Sequence, residues 1–162
     1  MSSNLKEYGM ARTHSPHPEP TAVIAGHPIH PMLVQFPIVC FTLALVTDIT
    51  YWQTSNLMWA EFSAWLLLAG IALGVLAAVF GLIDFVFNRD IRNARPAWPH
   101  AIGNAIVLVL AFLNNLVHAR DGWTAVVPWG LTLSALTVAV MLVTAWLGAS
   151  LVQVHGVGVR RS

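Results

Sequence analysis

The sequence is poor in charge. Only 9% of its 162 residues are Asp, Glu, Lys or Arg, against about 25% in a typical soluble domain. One cysteine, Cys40, excludes an intrachain disulfide and a cysteine-rich metal site. The Cys-x-x-Cys-His attachment motif of c-type haem is missing. So are a G-x-S-x-G nucleophile turn and a phosphate-cradling glycine loop. The net charge is +1, with no basic stripe interleaved with aromatics, which argues against a nucleic-acid partner. The first 30 residues contain no apolar h-region, so no cleavable signal peptide is expected.

Apolar residues are abundant: 57% of the chain is hydrophobic, with a mean hydropathy of +0.69. So few charges cannot cover that much apolar surface in water, and the expected solvent is lipid. Four long apolar runs cover residues 32–52, 62–87, 101–117 and 127–152. Each matches the ~20 residues that a helix needs to cross a hydrocarbon core. Lipid leaves the backbone a choice between helices and a closed barrel. The runs lack the alternation of barrel strands. The expectation is an all-α integral membrane four-helix bundle over residues 26–159. Residues 1–25, polar and proline-rich, read as a disordered cytoplasmic tail carrying His14 and His17.

Punctuation supports these spans. Pro31, Pro99 and Pro128 stand where helices should begin, and Pro37 should kink the first helix. Trp52, Trp59, Trp98, Trp123 and Trp129 fall near run ends, as in an aromatic belt. Gly70 and Gly74 form a G-x-x-x-G pair suited to close packing within the bundle or between copies in a homo-oligomer.

An even number of spans puts both termini on one side. That side collects Lys6, Arg12, Arg89, Arg92, Arg95, Arg160 and Arg161; the other has only Arg120. The positive-inside rule makes the richer side cytoplasmic, in the cytoplasmic (inner) membrane of a bacterium.

The same topology gathers histidines. His27 and His30, within "GHPIHP", open the first span; His100 opens the third, and His155 follows the fourth. Asp84 lies near the same end of the second span. Only His118 falls on the opposite face, where Asp48 is expected at the interface. An ionisable group inside a span is a functional hypothesis by default. On the third span His100, Asn104, Leu108, Ala111, Asn115 and His118 share a face expected to point inward.

Neutral imidazoles in an apolar bundle suit two kinds of group. One is haem b, with His30 and His100 as the foremost axial ligands, then His27 and His155, and with Arg89, Arg92 and Arg95 for the propionates. The other is zinc, copper or non-haem iron on the same histidines. Asp84 would orient a ligand or pair with one of those arginines. The redox reading implies an electron relay, with quinone or a redox protein as partner. Its competitors are a metal transporter, sensor or metalloenzyme, and a structural or assembly subunit whose histidines only anchor helix ends.

The blocks "GHPIHPMLVQFPI" (26–38), "GLIDF" (81–85), "RPAWPHAIGN" (95–104) and "LGASLVQVHGVGV" (147–159) resemble a bacterial four-span family, domain of unknown function 2231. The resemblance implies that His27, His30, Asp84, His100 and His155 are recurring polar positions. It also implies association with redox modules such as Rieske, cytochrome c and sugar-dehydrogenase domains. None is read in these 162 residues, so a separate protein or quinone is the expected redox partner.

Overall fold

The structure is a computed structural model, described here for residues 18–119 and 126–158. A two-stranded hairpin, β1 (Val23–Ile24) and β2 (His27–Pro28), leads into α1 (Ile29–Leu33) and α2 (Gln35–Thr54). Then come α3 (Leu57–Phe87), the short α4 (Arg89–Asn93) and α5 (Ala97–His118). A bent turn, Val126–Gly130, precedes α6 (Leu131–Gln153). Four helical segments are long and apolar enough to cross a membrane: Ile29–Thr54, Leu57–Phe87, Ala97–His118 and Val126–Gln153. The shortest has 22 residues, or ~33 Å of helix, against a hydrocarbon core of ~30 Å.

Prolines set the details. Pro37 has no N–H for the carbonyl of Leu33, and the first span is interrupted at Val34, three residues before it. The first and third spans start earlier than expected, at Ile29 and Ala97. Pro31 and Pro99 therefore lie inside the first turn, where a missing N–H leaves no bond unmade. Only Ser55 and Asn56 separate α2 from α3. Ser55 turns left-handed at φ 53°, and the Asn56 side chain accepts from the Met58 amide.

Short links make neighbours antiparallel, and α2–α3 and α5–α6 form two close hairpins. They meet along a looser seam, α3 beside α5 and α2 beside α6, so α2 lies diagonally opposite α5. The core in the seam is Phe41, Ala44, Leu67, Val107, Ala111 and Met141. The outward faces are apolar too, including Trp65, Leu142 and Trp146 at 63–70% exposure. A helix apolar all round needs lipid as its outer solvent.

Gly70 and Gly74 are buried inside the chain. A Cβ on Gly70 would stand 2.5 Å from the Phe41 ring, and one on Gly74 would stand 2.9 Å from Leu108. The G-x-x-x-G pair thus seats the first and third spans against the second. It presents no surface to a second copy, and the expected homo-oligomer contact through it is corrected.

Both ends of the described chain meet at one end of the bundle, where the Gly158 amide donates to the Pro18 carbonyl at 3.1 Å. The hairpin begins before residue 26, among residues 18–25. Val23 pairs with Pro28 and Ile24 with His27. The turn between them has Ala25 at φ 49° and Gly26 at φ 81°, a left-handed pair that favours glycine. Residues 1–17, with Lys6, Arg12, His14 and His17, lie outside the described residues, as do Arg120, Trp123, Arg160 and Arg161.

Candidate functional site: a histidine pair across the seam

His30 is on the first turn of α1, and its ring crosses to α3. Its Nδ1 lies 2.8 Å from the carbonyl of Ala77. A carbonyl only accepts, so Nδ1 is the donor. The ring lies flat enough on α3 that a Cβ on Gly81 would come within 2.8 Å of Nδ1. His100, near the start of α5, repeats the arrangement on α6. Its Nδ1 donates to the Thr144 carbonyl at 2.9 Å, and a Cβ on Gly148 would stand 2.8 Å from its Cε1. In each hairpin the glycine follows the accepting residue by four positions, Ala77 to Gly81 and Thr144 to Gly148. Four residues is about one helical turn.

The two half-buried rings meet across the seam. Their centroids are 6.1 Å apart and their planes stand at 89°. His30 belongs to one hairpin and His100 to the other, so the pair straddles the looser interface. The Nε2 atoms differ. That of His100 faces the Asn104 amide, whose Nδ2 lies 3.0 Å away and also donates to the His100 carbonyl. No bond to Nε2 of His30 is present among the described residues.

The other expected residues stand apart from the pair. His27 is exposed on β2. His155 is half-buried, with Nδ1 3.2 Å from the Ser150 carbonyl. Asp84 is buried, but its partners are neither histidine nor arginine: Oδ1 accepts from the amides of Thr21 and Ala22 at 2.7 and 2.8 Å. Its visible work is to fasten residues 18–28 to the bundle end. The expected ligand-orienting bond and arginine pair are absent among the described residues. Arg89 and Arg95 are exposed near this end, and Arg92 donates to the Val86 carbonyl at 3.2 Å.

Sequence reasoning missed a second polar cluster at the opposite end. Asp48 is not interfacial. It is fully buried, and its Oδ1 lies 2.9 Å from Nε2 of His118. The inward face of α5 runs through Asn114 to His118, while Asn115 turns aside to donate to the Ala64 carbonyl on α3. A signal was available. Asp48 follows His30 by eighteen residues, and His118 follows His100 by eighteen. Eighteen residues are five turns of helix, which returns a side chain to the same face.

Among the described residues, no group of three or more His, Cys, Asp or Glu is placed to hold a metal ion. The His30–His100 site therefore offers two imidazoles and no third ligand of those types. No curated protein and no solved structure gives a significant match to the chain. Residues 26–161 match the family described as predicted membrane protein (DUF2231). That match takes in all four spans and both ring-holding hairpins, and the chain belongs to this family.

Proposed function

We propose that this membrane protein binds a b-type haem between His30 and His100 and relays electrons within the bilayer. One observation carries the reading: two imidazoles face each other from opposite sides of the seam, each with Nδ1 fixed to a backbone carbonyl of the adjoining helix. In the neutral ring such a bond keeps the proton on Nδ1 and makes Nε2 the ligating atom; that of His30 has no partner among the described residues, and that of His100 would exchange its Asn104 contact for the ligand. The ring centroids are 6.1 Å apart, so both imidazoles could reach one bound group.

Ligand count favours haem over a bare ion. A structural zinc site takes four protein ligands and a catalytic one three, whereas the site has two. Haem brings its own equatorial nitrogens and asks for one or two axial ones. When bound, it would supply one-electron exchange. The chain would supply the two imidazoles, the apolar walls of the seam, and Arg89, Arg92 and Arg95 as partners for propionates. The basic bias of the sequence supports a cytoplasmic position for this end, in a bacterial inner membrane. A membrane quinone or a separate redox protein would then be the partner.

Purified in mild detergent from a host that loads other b-type cytochromes, the protein should show a Soret band that shifts on dithionite reduction. A colourless preparation overturns the proposal, and metal analysis of that sample tests the zinc, copper and non-haem iron alternatives. A structural role has its own supporting observation. Asn104 engages Nε2 of His100, so that ring is fully hydrogen-bonded without a ligand. A preparation with neither colour nor metal would favour that role.

A further inference from the structure

The second polar cluster does not belong to the histidine pair. It lies about 27 Å along the same helices, by five turns of helical rise. Between them stands the apolar core of Phe41, Leu67, Val107 and Met141. Four side chains from three spans make the cluster: Asp48 on α2, Asn114 and His118 on α5, and Ser134 on α6. All four are buried, none more than 3% exposed. A missing Cβ at Gly130 makes room for the His118 ring, whose Cε1 would otherwise lie 2.8 Å from it.

Donor counting shows what the cluster holds. Nδ1 of His118 faces the Asn114 carbonyl at 3.0 Å and must donate. Nε2 faces Asp48 Oδ1. One proton is therefore shared between Nε2 and Oδ1, and the unit is an imidazolium–carboxylate pair or its neutral equivalent. Asp48 Oδ2 accepts from the Ser134 hydroxyl at 2.5 Å, a length typical of a hydroxyl on a carboxylate. Ser134 Oγ in turn accepts from Asn114 Nδ2 at 2.7 Å. The chain ends with a loose end: Asn114 Oδ1 is buried and has no donor among the described residues.

We propose that this cluster is a proton-binding site, loaded on Asp48 Oδ2 from hydronium at the nearer membrane face. The carboxylate gains an O–H bond, and hydronium is left as water. Oδ2–H then donates to Ser134 Oγ, and the Ser134 hydroxyl turns to donate towards Asn114. A half-turn of the Asn114 amide brings Oδ1 to receive it. The orphan acceptor of the unloaded state thus becomes the acceptor of the loaded one. Either state leaves one amide group without a partner, so the relay has two nearly matched hydrogen-bond directions.

Among the described residues the other titratable groups towards this end are His118, which already shares its proton with Asp48 Oδ1, and half-buried Tyr51, one turn further along α2. On α2 and α3 the nearby polar groups are the hydroxyls of Thr47 and Ser63, bonded to each other at 2.7 Å. On α6 the next is Thr137, bonded to the Leu133 carbonyl. The turn Val126–Gly130 has no titratable side chain, and Glu61 of α3 is exposed. The apolar core separates the site from the histidine pair. This assignment does not depend on the haem proposal.

Infrared difference spectroscopy across a pH titration in lipid nanodiscs tests it on the intact protein, coloured or not. On acidification the folded protein should gain a protonated-carboxyl C=O band. Ser134→Ala removes the partner of Oδ2, so the band should change frequency and its pH midpoint should move, with the spectrum of the helical backbone unchanged. Asp48→Asn should delete the band. Two results overturn the proposal. One is a carboxyl band that never appears while the protein stays folded. The other is a band untouched by Ser134→Ala and deleted instead by Asp84→Asn. Should Asp48→Asn fail to fold, the wild-type and Ser134→Ala spectra decide alone.

Discussion

His30 rests on Gly81 so closely that any side chain there would collide with the ring, a Cβ standing 2.8 Å from Nδ1 and 2.9 Å from Cε1. Gly148 stands in the same relation to His100. These contacts, with the bonds to Ala77 and Thr144, fix where each imidazole stands. Gly81→Ala or Gly148→Ala should push the ring off its carbonyl and loosen the helix pair. Overpacking of this kind costs ~1–3 kcal/mol. Thermal melts in detergent should fall for both variants. An unchanged melt and spectrum would show that the glycine contact does not hold the ring.

Histidine variants should divide sharply. His30→Ala and His100→Ala should abolish the Soret band or change the spin state of the haem. His27→Ala and His155→Ala should leave it intact, because neither ring meets the pair. Loss of colour in His27→Ala would mean that the ligand set differs from the one proposed.

Asp84→Ala should free the chain before the first span. The carboxylate holds two amides, and hydrogen bonds to a charged group contribute ~1.5–3 kcal/mol each. Limited proteolysis should cut within residues 18–28 faster than in the wild type. Asp84→Asn keeps one acceptor oxygen and should be milder. Because Asp84 does not touch either paired histidine, the absorption spectrum should stay the same in both variants. A shifted spectrum with normal proteolysis would return Asp84 to a ligand-orienting role.

Breaking the Asp48–His118 pair should be costly. Removing one partner of a buried ion pair typically costs ~3–5 kcal/mol, because the other charge is left alone. Asp48→Ala or His118→Ala should therefore lower the melting temperature more than the double variant Asp48→Leu/His118→Leu. Equal losses in the singles and the double would show that the pair contributes no mutual stabilisation.

Orientation can be read directly. A reporter fused after Ser162 should behave as cytoplasmic, given seven basic residues on that side against one on the other. A periplasmic reporter would place the histidine pair outside and change the class of its redox partner.

The sequence by itself determined the four spans, the shared side of both termini and the end at which His30 and His100 meet. The reason is local. Apolar length, proline position and an even span count are one-dimensional properties, and lipid forbids the other backbone solutions. It also made these two rings the foremost candidates, since each opens a span from the same face.

Only the tertiary structure decided who touches whom. Asp84 looked like a partner for a histidine because it lies in the right layer, but a residue's depth does not fix its azimuth. Chain folded back from residues 18–28 supplies its partners instead. Asp48 looked interfacial because it lies near a helix end. The α5 face and the α6 serine that bury it come from residues 66 and more positions away in sequence. Asn115 bonds across to the Ala64 carbonyl of α3, while Asn114, one residue or about 100° away, faces Ser134 of α6. Such rotations are set by how ridges of neighbouring helices interlock, which no single helix encodes.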